Sequence, residues 1–219
     1  MVFQKGKGLI VVEGISGCGK SSSINQLQEY VESLGHGVYV YEWNSNRWLR
    51  ALTRWLGLKQ TIPASLYSLL QWWGFILDYF FIIIPRLWMG NIVLCDRYVY
   101  TGLVRDRANG AKPYLGRCIS KFVRKPDLIF FIDQMPELCQ KRIATRGKKL
   151  FHTNAALISS VNIRNKELFY LRRCRRIYLC LFHPSNPLTE GRVSTMNEGC
   201  LDMKIWMDTY IRDIMLVEH

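Results

Sequence analysis

Short apolar runs alternate along the chain with longer stretches in which apolar residues recur every three or four positions. Residues 9–13, 38–42, 92–96, 128–132 and 192–196 are the short runs. They are rich in valine, isoleucine and leucine, and three of them end on a carboxylate: Glu13, Glu42 and Asp96. Runs of this kind read as strands buried on both faces of a parallel sheet. The intervening stretches read as helices: to about 34, 47–56, 63–88, from about 100, 136–145, 156–181 and 200–217. Gly35 and Gly37 punctuate the first helix-to-strand turn, and Pro136 suits the first position of a helix. Pro85 sits inside an apolar helix and is expected to break or kink it. The alternation predicts an α/β fold with a parallel sheet flanked by helices.

The segment 65–84 is long and apolar enough to cross a bilayer, with Asp78 as its charged residue. A spanning helix would place Asp78 and Gln71 in hydrocarbon and cut the strand–helix alternation in two. The expected outcome is a buried helix, with one face available for a subunit contact.

With 219 residues the chain is long enough for one domain, expected to span 1–219, and to bury a sizeable core. Hydrophobic residues at 49% against charged residues at 21% argue against disorder. The 30 Lys and Arg against 17 Asp and Glu leave a net charge of +13. This favours anionic ligands, and leaves nucleic acid or an anionic membrane surface as partners that are open but not favoured. Seven cysteines, at 18, 95, 118, 139, 174, 180 and 200, include no closely spaced pair. Their odd count points to reduced thiols and a cytoplasmic setting. The first strand begins within ten residues of Met1, which leaves no room for a signal peptide.

Two stretches carry chemistry. The first runs from Gly14 through Ser16, Gly17, Cys18 and Gly19 to Lys20, Ser21 and Ser22, directly after the first strand. It is a glycine-rich phosphate-binding loop: backbone N–H groups line a hollow, and the following helix adds its positive end. In this pattern Lys20 reaches the β- and γ-phosphates of a nucleoside triphosphate, and the Ser21 hydroxyl holds Mg²⁺. The second stretch is the strand that delivers Asp96 and Arg97 to its C-terminal end, where ligands of open α/β sheets bind. Asp96 can hold Mg²⁺ opposite Ser21, and Arg97 can clamp phosphate oxygens. Glu42, at another strand end, is a candidate base for a hydroxyl acceptor. The basic run Arg172, Arg173, Arg175, Arg176 wraps too far round a helix to form one stripe, so part of it faces solvent.

The chain resembles the thymidylate kinases, within the wider group of nucleoside and nucleotide kinases that share this loop. The resemblance rests on the loop preceded by Glu13, on Gly90 to Tyr98, on Lys125 to Asp133, and on Arg142-Ile-Ala-Thr-Arg146-Gly147. It implies a five-stranded parallel sheet, a small lid over about 142–155, and often a homodimer. It also implies transfer of the ATP γ-phosphate, with Mg²⁺, to a nucleoside monophosphate, dTMP being the first to try. Arg142 and Arg146 would then close over ATP from the lid and its flanking helix. Arg97, with Arg47, would hold the acceptor phosphate, and Tyr98 and Arg105 would join the acceptor site. The departures are specific. Ser16 stands where the family usually has an acid, and Tyr41-Glu42-Trp43 replaces an arginine-bearing turn. On the long helix Gln71 and Phe75 stand where the family has an aromatic and an arginine, so the two roles at the base look exchanged. These departures keep open a kinase for a nucleoside or other alcohol that uses Glu42 as base. A nucleic-acid- or membrane-associated protein that only binds ATP is the non-enzymatic alternative.

Overall fold

The structure is a computed structural model, described here for residues 8–43, 64–147, 165–189, 193–196 and 200–217. Five strands form one parallel sheet: β1 (Gly8–Glu13), β2 (Val38–Glu42), β3 (Ile92–Asp96), β4 (Leu128–Ile132) and β5 (Val193–Met196). Their order across the sheet is β2-β3-β1-β4-β5. The expected five-stranded parallel sheet is therefore present. β1 lies at its centre, with Val12 level with Asp96 on one side and with Phe130 on the other. Every residue of β1 is buried, which is why its sequence shows no alternation of apolar and polar positions. Each such valine, leucine or isoleucine contributes about 1.5–3 kcal/mol by leaving water.

The helices are α1 (Lys20–Ser33), α2 (Ala64–Asp78), α3 (Ile84–Trp88), α4 (Val99–Asn109), α5 (Tyr114–Phe122), α6 (Pro136–Thr145), α7 (Lys166–Leu181) and α8 (Cys200–Val217). α1 packs on β1, β2 and β3 and against α8, while α4 packs against α2, α5 and α7. The helix expected at 47–56, Arg47 and most of the lid lie outside the described residues.

Two expectations are corrected. The segment after Tyr98 is two helices, because Gly110 adopts a left-handed φ of 76° and ends α4. Pro85 does not end its helix. A π turn, Tyr79–Ile83, joins α2 to α3, and the Ile84 N–H reaches back to the Tyr79 carbonyl. Proline has no N–H and its ring crowds the carbonyl four residues earlier. One extra residue in the preceding turn relieves that conflict, and the helix resumes with Met89 N–H donating to the Pro85 carbonyl at 3.0 Å.

The stretch Ser65–Trp88 has the length and composition of a membrane span, but its inner face belongs to the core. Trp72, Phe75, Tyr79, Ile83 and Leu87 are buried there. The buried polar groups of α2 are satisfied within the protein: Asp78 accepts from the Tyr41 hydroxyl at 3.0 Å, and Trp72 Nε1 donates to Asp106 at 2.8 Å. The Trp72 indole fits only because α4 and α5 present Gly102 and Gly116 to it. A Cβ on Gly116 would come within 2.3 Å of the ring, and one on Gly102 within 2.6 Å.

Candidate active site

The ends of β1, β2, β3 and β4 meet at the C-terminal edge of the sheet, on both sides of its central strand. The loop after β1 turns through Gly14, Gly17 and Gly19, with φ of 148°, 85° and 108°. These are conformations that L side chains rarely adopt. The space is also closed to them. A Cβ on Gly14 would lie 2.7 Å from the Ile132 carbonyl oxygen, and one on Gly17 would lie 2.6 Å from that of Cys139. The loop is thus pressed between the end of β4 and α6. Ser16 is half-buried, Cys18 is buried, and Ser21 and Ser22 are exposed at the start of α1. α1 has no side-chain cap and no acid in its first turn, so its positive end is left for a ligand.

Lys20 is buried, and its ammonium donates to the carbonyls of Gly14 at 3.0 Å and Ile15 at 2.8 Å. Burial lowers its pKa, and the neighbouring Arg97 charge lowers it further. Both effects make the site receptive to negative charge. Ser21 Oγ donates to Asp96 Oδ2 at 3.3 Å, which brings together the two residues expected to hold a metal. Asp96 Oδ1 is buried and has no hydrogen-bond partner among the described residues. Glu42 is exposed at the end of β2, level with Asp96 on the adjoining strand.

Arg97 is held in an unusual way. Among the described residues it is the one non-glycine residue with a positive φ, 78°. Such a backbone costs about 1–3 kcal/mol and persists only where surrounding contacts enforce it. Its N–H donates to the Val12 carbonyl at 3.1 Å, and Nη1 donates to the Gly14 carbonyl at 3.1 Å and Thr101 Oγ1 at 3.3 Å. Glu13 secures the other side. Its buried carboxylate accepts from the N–H groups of Tyr98 at 2.8 Å and Thr101 at 3.2 Å. It also accepts from the hydroxyls of Thr101 at 2.6 Å and Tyr178 at 2.8 Å. Burial raises the Glu13 pKa, and these hydrogen bonds and Arg97 only partly offset it. Thr101 and Tyr178 were not singled out from sequence, and Glu13 was read there as a strand end and not as a site residue. The available signal was an acid closing an otherwise apolar strand.

The acceptor residues divide. Gln71 is buried on α2 and accepts from Arg105 Nη1, on α4, at 3.2 Å, so these two are brought together. Phe75 and Tyr98 are placed otherwise than expected. Trp43 stacks on Phe75 with ring centroids 4.8 Å apart, and Phe75 is wholly buried. Tyr98 is wholly buried too, packed edge-on against Phe75, with its hydroxyl donating to the Arg124 carbonyl at 2.9 Å. Both rings are packed into the core, and the backbone at Tyr98 is extended.

Arg142, on α6, reaches the loop: its Nη1 lies 3.9 Å from where a Cβ on Gly19 would be. Arg146 is exposed just past the end of α6. The basic run on α7 is largely tied down. Arg172 pairs with Glu137 at 2.7 Å, Arg175 pairs with Asp133 at 2.6 Å, and Arg173 donates to the Arg107 carbonyl at 3.2 Å.

A buried loop lysine, a helix N-terminus, and a serine in the first turn of that helix paired with an aspartate at the end of the adjoining strand define a phosphate-binding-loop phosphotransferase. The family model for thymidylate kinase matches residues 12–187, and the chain belongs to that family. It is 31% identical to a probable thymidylate kinase 2 of Saccharolobus solfataricus, over 78% of this chain and 80% of the relative. It is 30% identical to a probable thymidylate kinase of Methanococcus aeolicus, over 73% and 81%. A thymidylate kinase of Akkermansia muciniphila is 31% identical over 70% and 75%. The protein is accordingly an ATP-dependent nucleotide kinase.

Proposed function

We propose that the protein transfers the γ-phosphoryl group of ATP to dTMP, giving ADP and dTDP. The observation that carries this reading is the convergence of Lys20, Ser21, Asp96 and Arg97 beside the glycine loop. An oxygen of the acceptor phosphate attacks the γ-phosphorus, and the bond from that phosphorus to the β–γ bridging oxygen breaks. The acceptor is already ionised and needs no base, so the protein's task is positioning and charge neutralisation. In this reading the donor phosphates lie against Lys20 and the first N–H groups of α1, which has neither a side-chain cap nor an acid in its first turn. Arg97 approaches the transferring group from β3, and Arg142 from α6.

The residues present fit Mg²⁺. Ser21 and Asp96 offer hard oxygens, and the buried Asp96 Oδ1 lacks a donor among the described residues. Mg²⁺ when bound offsets negative charge on the β- and γ-phosphates. The reading carries with it a cytoplasmic setting, in keeping with free thiols at Cys18, Cys95, Cys118, Cys139, Cys174 and Cys180. A homodimer, implied by the resemblance, is tested by sedimentation equilibrium.

The deciding experiment is an acceptor panel of dTMP, dUMP, dCMP and thymidine with ATP, the products separated by anion exchange. dTDP from dTMP is expected as the principal product. Phosphorylation of thymidine without turnover of dTMP would transfer the assignment to a hydroxyl acceptor.

A further inference from the structure

A tyrosine on α7 is connected through hydrogen bonds to the arginine that follows β3. Arg97 has a left-handed φ of 78°, so its direction depends on what grips the peptide groups around it. Its own N–H is tied to the Val12 carbonyl on β1. The next N–H, that of Tyr98, goes to the Glu13 carboxylate at 2.8 Å, and that of Thr101 follows at 3.2 Å. Glu13 thus does for α4 what a cap residue usually does. The N-cap position, Tyr98, offers no side-chain cap, and the first turn of α4 holds no acid. The guanidinium is gripped through the same carboxylate: Arg97 Nη1 donates to Thr101 Oγ1 at 3.3 Å, and that hydroxyl donates to Glu13 Oε2 at 2.6 Å.

The last member of this chain of contacts comes from 165 residues beyond Glu13. The Tyr178 hydroxyl donates to Glu13 Oε2 at 2.8 Å and lies 2.8 Å from Thr101 Oγ1. Its ring is wholly buried against Phe131 and Phe182, with centroids 5.6 and 5.7 Å away. Phenylalanine would serve that packing, and a buried hydroxyl is unfavourable unless it is hydrogen-bonded. Here both of its partners are groups that hold Arg97. An ionised carboxylate offers about four acceptor sites. Among the described residues Glu13 accepts four hydrogen bonds, one of them from Tyr178. Loss of that hydroxyl would leave a buried carboxylate short of a donor and free to turn, and the peptide groups it holds would turn with it. Given the role proposed above for Arg97 at the transferring phosphate, we infer that Tyr178 is a positioning residue of the phosphotransfer. It acts through Glu13 and Thr101 on both the backbone and the guanidinium of Arg97.

The test is steady-state turnover of the full chain with ATP and dTMP, each varied in turn. Tyr178→Phe keeps the ring and should lower kcat by about ten- to a hundredfold, the scale set by a misplacement of about 1 Å. Acceptor KM should rise, while ATP KM should stay within about twofold of the wild-type value, because the loss falls on the acceptor side. Thr101→Val keeps the shape without the hydroxyl and should lower kcat in the same way. Thr101→Ser keeps the hydroxyl and should retain most of kcat. Should Tyr178→Phe fail to fold, the two Thr101 variants decide. Full kcat in Tyr178→Phe overturns the inference, as do equal losses in the two Thr101 variants. A parallel rise in ATP KM overturns it too, since the effect would then lie at the Lys20 loop. So does a loss that disappears once rates are referred to folded protein, counted by circular dichroism. A wild-type enzyme that leaves dTMP untouched and phosphorylates another member of the acceptor panel refutes the dTMP reading alone, and the same comparison then runs on that acceptor.

Discussion

Asp96 shares one carboxylate oxygen with Ser21 and keeps the other buried without a partner among the described residues. A buried acceptor left unpaired costs about 1–3 kcal/mol, which a structural role would not require. Asp96→Asn should therefore lower kcat by about 10²–10³-fold while leaving the thermal midpoint unchanged or raised, a pairing that steady-state kinetics and melting curves together would reveal. Lys20→Ala should lose activity on the same scale, and near-normal turnover in that variant would refute the phosphate assignment. Glu13 gives a pH signature. Burial raises its pKa, so the folded state holds the proton more tightly than the unfolded state. The stability it contributes is complete below the unfolded pKa and is lost as pH rises through the folded value. The melting temperature of Glu13→Gln should thus gain on that of the wild type as pH rises above the ordinary carboxylate range. An unchanged difference as pH rises would mean that Glu13 does not titrate there.

At the scale of elements, β2 brings Glu42 level with Asp96, and an acceptor phosphate that is already ionised has no proton for it to take. With dTMP as acceptor, Glu42→Gln should change kcat only a few-fold, whereas loss of a general base costs about 10²–10⁴-fold. Gly116→Ala tests the fit of α2 against α5. Alanine favours a helix by about 0.5–1 kcal/mol, but the added methyl would sit 2.3 Å from the rigid Trp72 ring. Overpacking of that kind costs about 1–3 kcal/mol, so denaturant melts should show net destabilisation. The sheet and the glycine loop were legible in sequence because each is written into contiguous residues: an apolar run for the first, glycines at fixed spacing for the second. What was not legible depends on distant partners. Glu13 meets Thr101 and Tyr178 only once α4 and α7 have packed. Tyr98 follows Asp96 and Arg97 in the chain and so read as a site residue, yet its ring is packed into the core. Pro85 read as a break because the widened turn that absorbs it leaves no mark of its own.

Over the whole molecule, the +13 charge sets the terms of stability. Some of it is neutralised locally, as where Arg175 meets Asp133 and Arg172 meets Glu137. Pairs at or near the surface, like these, contribute on the order of 1 kcal/mol each, too little to cancel the mutual repulsion of the excess cations. Raising ionic strength from a few millimolar to about 0.15 M should therefore raise the melting temperature. A fall would mean that screened ion pairs outweigh the relieved repulsion.

The central position of β1 also bears on how the chain is made. β1 and β2 are synthesised first, yet neither pairs with the other. Both wait for β3, which begins only at Ile92, and β1 waits further for β4 at Leu128. A ribosome paused before Ile92 would carry two apolar strands with every edge open, a state prone to wrong pairing. Arrested nascent chains ending near residue 90 should therefore be cleaved readily by protease and captured by a general chaperone. Chains extended past β4 should resist. The pace of translation between β2 and β4 thus becomes a determinant of yield, and slow codons there would be a burden on expression of the enzyme.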